Sequence, residues 1–188
     1  PRRPAKPGTL GTPQEGRRVS LRAGGMQAPT GSPGTIAIHR SDPGLMLGYL
    51  DAPEETAARF DGAWCLTGDQ GALDAEGHIT FLGRDDDMMN AGGFRVSPLE
   101  VETCLAQAPG VTGVGTAEVT VKDGVRVIAA FYTAETPLDP AHLDAYAKRH
   151  LARYKQPRLY VQLDALPQSG NGKLSRGTLR KNYEAKTP

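Results

Sequence analysis

Residues 114–133 read VGTAEVTVKDGVRVIAAFYT, and this stretch decides the fold of the second half of the chain. Two runs rich in β-branched residues, Val114–Val121 and Val125–Thr133, flank the tripeptide Lys122-Asp123-Gly124. An Asp-Gly pair between two such runs is a strong signal for a β-hairpin, because these residues accept the positive φ angles of a tight turn. The stretch therefore predicts two antiparallel strands.

Helices and one further strand are predicted around this hairpin. Ser97-Pro98-Leu99-Glu100 is a capping box with proline at the first helical position, so it begins a helix. The predicted elements are helices from Ser97 to Ala108, from Asp139 to about Leu151 and around Ser175–Tyr183, and a strand at Leu159–Leu163. Together with the hairpin they predict a compact α+β module over residues 85–188.

Shorter strand signals fill the sequence before Arg84, separated by turns rich in glycine and proline, which is typical of a small antiparallel β unit. The signals lie at Val19–Arg22, Thr35–His39, Trp64–Leu66, Gly71–Leu73 and His78–Leu82, with a short helix from Asp51 to Phe60. The acidic run Asp85-Asp86-Asp87 marks a change of composition, and we place the domain boundary there. The predicted fold class is α+β, with domains at residues 1–84 and 85–188.

Composition excludes several classes of protein. The 188 residues carry a net charge of +1, whereas a nucleic-acid-binding protein needs a basic surface against phosphates, so no nucleic-acid partner is expected. No apolar run approaches the roughly 20 residues of a membrane span. The basic N-terminus lacks the apolar segment of a secretory signal. We therefore expect a soluble, cytoplasmic protein.

Neither cysteine nor histidine spacing predicts a metal site. Cys65 and Cys104 are far apart in sequence, so they favour neither a disulfide framework nor a zinc site. The four histidines, His39, His78, His142 and His150, show no partner spacing for a metal site or a catalytic triad. Basic residues outnumber acidic ones after residue 141. That excess fits either a solvated basic face or a site for a phosphate-bearing small molecule.

Two motifs before the boundary have side chains suited to a nucleotide. The carboxylate of Thr67-Gly68-Asp69 could accept hydrogen bonds from the vicinal hydroxyls of a ribose, or it could satisfy its own backbone in an Asx-turn. In Phe81-Leu82-Gly83-Arg84, the guanidinium could hold a phosphate or ribose oxygen, and Phe81 could cover a purine face. The alternative is an exposed arginine at a strand end and a phenylalanine in a core.

Two glycine-containing motifs follow the boundary. Gly92 and Gly93 permit a positive φ or the close approach of a ligand, and Arg95 could then meet an anion; a simple turn before the helix is the alternative. In Ser169-Gly170-Asn171-Gly172-Lys173, glycines would let the loop extend, so the lysine could stabilise negative charge developing on a phosphate. By its local chemistry alone, Lys173 could equally be a surface lysine.

The order and spacing of these motifs are more specific than each motif alone. Together they resemble the adenylate-forming superfamily of acyl- and aryl-CoA synthetases, luciferases and nonribosomal-peptide adenylation domains. The matching segments are Gly48-Tyr49, Pro53-Glu-Glu-Thr56, Thr67-Gly-Asp69, Gly83-Arg84-x-Asp86-Asp-Met, Gly92-Gly93-x-Arg95-Val-x-Pro98-x-Glu100-Val-Glu102 and Leu166-Pro-x-x-x-Asn-Gly-Lys173. The resemblance runs from about residue 8 to residue 182.

The resemblance implies two half-reactions. A carboxylic acid attacks ATP, with its Mg²⁺, to give an acyl-adenylate and pyrophosphate, and coenzyme A then displaces AMP to give a thioester. It implies that Lys173 is the catalytic lysine of adenylation and that Asp86 is the hinge of a mobile lid. The implied nucleotide-binding residues are Asp69, Phe81, Arg84 and Arg95, and the implied residues for coenzyme A are Gly92, Gly93 and Tyr154.

The resemblance also implies how the chain is organised. Residues 1–84 would be the last, β-barrel-like subdomain of the large domain, and residues 85–188 the C-terminal lid. Two family motifs, a Ser/Thr/Gly-rich phosphate loop ending in Pro-Lys and a Tyr-Gly-x-Thr-Glu segment, do not occur here. We therefore expect these 188 residues to be an inactive C-terminal part of an acyl- or aryl-CoA synthetase.

Two other functions remain possible on the sequence. One is a nonribosomal-peptide-type adenylation domain, although Asn90-Ala-Gly-Gly-Phe-Arg-Val-Ser-Pro98 resembles the CoA ligases more. The other is a non-catalytic lid whose lysine, Lys173, is acetylated by a protein lysine acetyltransferase.

Overall fold

The chain divides into two units, Pro1–Asp86 and Asp87–Pro188, and the described residues of the first form six antiparallel strands and one short helix. The computed structural model describes residues 6–122 and 124–186. The strands are β1 (Val19–Ala23), β2 (Met26–Gln27), β3 (Pro33–His39), β4 (Phe60–Asp61), β5 (Trp64–Leu73) and β6 (Ile79–Arg84), and the helix is α1 (Pro53–Ala58).

The first unit is a curled antiparallel sheet. Its order is β2-β1-β3-β5-β4, and β6 pairs with β5 beside β4. Leu21, Ala28 and Ile79 form its buried core. The register between β5 and both β3 and β6 shifts, and such bulges bend a sheet and increase its twist. The predicted β-barrel-like antiparallel part of an α+β fold is confirmed.

The second unit has a three-stranded sheet with helices on both faces. Its elements are β7 (Met89–Ala91), β8 (Phe94–Val96), α2 (Pro98–Leu105), β9 (Val111–Lys122), β10 (Val125–Ala134), α3 (Pro140–His150), β11 (Leu159–Gln162) and α4 (Arg176–Glu184). The sheet order is β11-β10-β9, with β9 antiparallel and β11 parallel to β10. Asp123 of the predicted hairpin turn, like residues 1–5, lies outside the described residues.

Strand β10 is buried on both faces, which explains its nearly unbroken apolar sequence. Side chains alternate across a strand, so Ile128 and Ala130 pack against α2, α3 and the β7–β8 hairpin. Ala129 and Phe131 pack on the other face, against Leu179 of α4. In the described ranges, no helix is long and apolar enough to cross a membrane.

The helix starts follow the predicted chemistry. The hydroxyl of Ser97 accepts a hydrogen bond from the backbone N–H of Glu100 (3.3 Å), and a carboxylate oxygen of Asp139 accepts one from Ala141 (2.9 Å). Proline follows each cap at the first helical position, where its missing N–H costs nothing. The two short strands β7 and β8 were missed, because the glycine-rich segment between them was interpreted as a site of ligand approach or as a turn before the helix, and not as a hairpin.

Candidate functional site

Asp69 lies in a bulge of β5. The pairing of β3 with β5 passes from Thr35–Gln70 to Ala37–Leu66, so four steps along β5 match two along β3. Gly68 has a φ of +81°, and the backbone N–H of Asp69 donates to the Thr67 hydroxyl (3.1 Å). The bulge thus interrupts the alternation of side chains along β5 and changes the direction of the Asp69 carboxylate.

Arg84 is the cross-strand partner of Asp69. Its Nη1 lies 3.0 Å from Asp69 Oδ1, and both side chains are more than a third exposed. An ion pair this exposed contributes little to stability, because water screens it. The structure therefore brings two predicted nucleotide-binding groups together on an accessible surface, with a carboxylate acceptor beside guanidinium donors.

Phe81 and Asp86 flank Arg84 along the chain. Phe81 is on β6 and 38% exposed, so it is not the core residue of the alternative interpretation. Asp86 belongs to the 3₁₀ turn Asp85–Asp87, its side chain is 80% exposed, and its Oδ1 lies 3.7 Å from Arg84 Nε. The division between the two units falls directly after Asp86.

Gly92 and Gly93 form the turn of the β7–β8 hairpin. Their φ angles are +57° and +87°, which a two-residue hairpin turn requires and which side-chain-bearing residues rarely adopt. The backbone N–H of Asn90 donates to the buried Glu118 carboxylate (2.9 Å), which fixes the hairpin on β9. Arg95 pairs with Asn90 across the hairpin and is exposed.

An open cavity of about 730 Å³ lies beside this hairpin. Gly92 and Tyr154, two residues predicted to contact coenzyme A, both line it. The rings of Phe94 and Tyr154 pack against each other, with centroids 4.6 Å apart and planes tilted by 30°, and both are exposed. Three arginines complete the rim, Arg126, Arg153 and Arg158. The cavity therefore combines flat apolar surfaces with guanidinium donors.

Lys173 stands at the end of a closed turn rather than an extended loop. The Lys173 carbonyl accepts from the backbone N–H of Ser169 (2.7 Å), and Gly172, with a φ of +76°, donates to the Ser169 carbonyl (2.9 Å). Leu174 then packs against the α4 face of the sheet. The Lys173 side chain is exposed and makes no ion pair with the part of the chain that the structure describes. The turn thus holds a free ammonium group on a fixed backbone.

A buried ion network lies three residues beyond Lys173. The Arg176 guanidinium donates to both carboxylate oxygens of Glu102 (3.1 and 2.6 Å) and to Asp87 (3.0 Å). The same Glu102 accepts from the backbone N–H of Thr116 (2.8 Å). The network ties α2, α4, β9 and the first residue of the second unit together.

Comparison with known proteins matches the chain to one enzyme family. The AMP-binding enzyme C-terminal domain matches residues 100–173. The chain is 42% identical over 141 residues to the 3-[(3aS,4S,7aS)-7a-methyl-1,5-dioxo-octahydro-1H-inden-4-yl]propanoyl:CoA ligase of Mycobacterium tuberculosis, covering 73% of this chain and 28% of that protein. It is 36% identical over 189 residues to a mitochondrial acyl-coenzyme A synthetase of Homo sapiens, covering 93% and 32%.

The chain belongs to the adenylate-forming, AMP-binding enzyme family. The o-succinylbenzoate coenzyme A synthetase of Bacillus subtilis in complex with AMP superposes with a TM-score of 0.84 at 31% identity, covering 93% of this chain and 36% of that one. The same synthetase is also known in complex with ATP and a magnesium ion. The chain spans about a third of the length of these relatives.

The sequence motifs did not predict several contacts of the candidate site. Phe94 and Arg126 were not predicted as site residues, because an aromatic residue after two glycines and a single arginine in a strand have no distinctive spacing. The basic excess after residue 141 already contained Arg153 and Arg158, but it could not show that they meet one cavity. Glu102 and Arg176 lie 74 positions apart, so only the folded chain reveals their pairing.

We expect Arg176→Ala to lower the free energy of unfolding of this chain by about 3–5 kcal/mol, because it leaves the Glu102 carboxylate buried without its cation. Urea unfolding followed by the helical circular dichroism signal measures this effect. Lys148→Ala is the matched control, since it breaks the exposed Lys148–Asp144 pair and should change stability by about 0.5 kcal/mol or less. Equal effects of the two changes would contradict the structural role of Arg176.

Proposed function

We propose that the chain is part of an ATP-dependent acyl- or aryl-CoA synthetase. In the first half-reaction a carboxylate oxygen attacks the α-phosphorus of ATP, giving an acyl-adenylate and pyrophosphate. In the second, the thiol of coenzyme A attacks the acyl carbon, loses its proton, and releases AMP. Relatives named as CoA ligases and the exposed cavity with three arginines support this proposal.

Most of the residues that we propose to bind the nucleotide lie in the first unit. The Asp69 carboxylate would accept hydrogen bonds from the ribose hydroxyls, and Arg84, held beside it at 3.0 Å, would donate to the ribose and phosphate oxygens. Phe81 would pack near the adenine. Arg95, exposed on β8, would donate to an anion such as a phosphate. Mg²⁺ would enter with ATP and neutralise part of the phosphate charge.

Lys173 would act in adenylation only. A lysine ammonium is a compact point charge, which suits the bridging position between the attacking carboxylate and the α-phosphate. Charge that develops on oxygen in the transition state is stabilised most by donors that are already placed. The closed Ser169–Lys173 turn fixes the backbone from which this side chain extends, and its lack of an ion pair in the described ranges leaves the ammonium available.

The cavity beside the glycine hairpin is the observation that carries the coenzyme A proposal. Coenzyme A has a purine, a diphosphate and a 3′-phosphate, so it needs an aromatic surface and several cations. The Phe94–Tyr154 pair offers the surface, and Arg126, Arg153 and Arg158 offer the cations. Gly92 and Gly93 present bare backbone, which lets the pantetheine arm pass closely.

We expect Arg158→Ala to weaken coenzyme A binding by the 188-residue chain by roughly tenfold, the loss of about one charge-assisted hydrogen bond. Isothermal titration with coenzyme A gives the dissociation constant. Arg149→Ala on the exposed face of α3 removes the same charge outside the cavity and should leave binding unchanged. An equal loss in both variants would indicate unspecific attraction, and no loss in Arg158→Ala would exclude this cavity.

Four finer points stay proposals. We propose that the 188 residues need the family's phosphate loop for catalysis, and that the protein works in the cytoplasm, although several matched relatives are named as mitochondrial. An amide bond synthetase is also among the similar structures. The second candidate function is therefore acyl transfer to a nucleophile other than coenzyme A. The exposure of Lys173 favours the further proposal that a lysine acetyltransferase reaches it, which would remove the charge that adenylation needs.

A further inference from the structure

Three potential metal ligands meet in the loop between β5 and β6. Asp74, Glu76 and His78 each offer one ligand atom, and these atoms lie within 4.8 Å of one another. The three residues occupy every second position of the chain. The tight turn Asp74–Gly77 brings the two carboxylates close to the histidine. None of these groups takes part in the nucleotide or coenzyme A sites proposed above.

His78 Nδ1 points into this cluster without a hydrogen bond. The residue is 9% exposed, and the nitrogen is enclosed. The nearest carboxylate oxygens are Asp74 Oδ1 at 3.5 Å and Glu76 Oε2 at 3.8 Å. A buried polar atom without a partner is rare in folded proteins and calls for a ligand or another explanation. An ion between the three side chains would satisfy it.

A cation already lies on the two carboxylates. The Lys6 ammonium is 2.7 Å from Asp74 Oδ2 and 3.0 Å from Glu76 Oε2. It holds the pKa of the Asp74 carboxyl well below its usual range, and hydrogen bonding to Asp74 raises the pKa of Lys6 itself. Lys6 does not contact His78 Nδ1 in any described hydrogen bond, so it fills only part of the cluster. Its side chain is 47% exposed, so water screens both contacts.

We propose that Asp74, Glu76 and His78 bind a divalent transition-metal ion such as Zn²⁺, in exchange with the Lys6 ammonium. One imidazole nitrogen and two carboxylates form a donor set that Zn²⁺ accepts, with water completing the tetrahedral shell. Bound metal would displace the Lys6 ammonium and hold the β5–β6 loop instead. The histidine spacing alone predicted no metal site. The carboxylates two and four residues before His78 are not part of that spacing.

Zn²⁺ titration of the untagged 188-residue chain tests this proposal, with isothermal calorimetry as the readout. We expect saturable 1:1 binding, and at least a roughly tenfold weaker dissociation constant in His78→Gln and Glu76→Gln. Glu76 is exposed, so its variant keeps the test valid if the His78 variant fails to fold. His142→Gln removes an exposed histidine elsewhere and should bind like the wild type.

The Lys6→Ala variant gives the sharpest outcome. Removal of a competing cation should tighten Zn²⁺ binding several-fold, whereas loss of an ordinary structural ion pair would leave it unchanged or weaker. Absence of saturable Zn²⁺ binding in the wild type would overturn the proposal. So would unchanged binding in Glu76→Gln, or binding in Lys6→Ala that is no tighter than in the wild type.

Discussion

Replacing Lys173 by alanine should slow adenylation by about 10²–10³-fold while thioester formation from a supplied acyl-adenylate stays close to normal. In the proposed role, the ammonium would stabilise charge on the carboxylate and α-phosphate only while the first bond forms. Once the adenylate exists, the second half-reaction breaks the acyl–phosphate bond without it. The effect applies to a protein that contains this chain together with the family's large domain.

Separate assays of the two half-reactions measure this effect. ATP–pyrophosphate exchange reports adenylation, and acyl-CoA formation from added acyl-adenylate reports the second step. Lys181→Ala is the control, since it removes an exposed lysine from α4 without touching the turn. Equal loss in both steps would show that Lys173 does not have the proposed role.

Asp86→Pro should produce the opposite pattern. If the chain pivots at this residue between the two half-reactions, proline fixes φ near one value and removes the N–H, at a cost of about 3 kcal/mol in any pose that needs another φ. That cost corresponds to roughly 100-fold in rate. We expect adenylation to persist and thioester formation to fall by about this factor.

Asp86→Ala separates backbone freedom from side-chain chemistry. Alanine leaves φ free, and the Asp86 side chain is 80% exposed with only a 3.7 Å approach to Arg84, so this variant should retain both steps. The same two half-reaction assays apply. If Asp86→Ala and Asp86→Pro lose the second step equally, the carboxylate rather than the pivot is responsible.

Elements with local signals could be predicted, and elements that depend on distant partners could not. The Ser97 and Asp139 caps, the β9–β10 hairpin and α4 follow from short sequence patterns, and the structure has them. The β7–β8 hairpin has only three residues in each strand, too few for a periodic pattern. It is stable because Met89 and Val96 are buried against α2 and β10, which the local sequence does not show.

The candidate site shows the same limit. Asp69 and Arg84 were selected one by one, yet their 3.0 Å pairing depends on a bulge that local patterns do not predict. The Lys173 loop was expected to extend, because glycine permits extension, but Ser169 closes it through two hydrogen bonds to the Lys173 carbonyl. The arginines around Tyr154 come from β10, from the 3₁₀ turn Arg153–Lys155 and from the residue before β11, and these parts meet only in the folded unit.

The decisive measurement is the coenzyme A dependence of product formation by the protein that carries this chain and the large domain. It is supplied with ATP, Mg²⁺ and a panel of aliphatic and aromatic carboxylic acids, and products are identified by mass spectrometry with and without coenzyme A. We predict that one or more acids give AMP, pyrophosphate and an acyl-CoA thioester only when coenzyme A is present. Accumulation of acyl-adenylate with no coenzyme A-dependent product would contradict the proposed function.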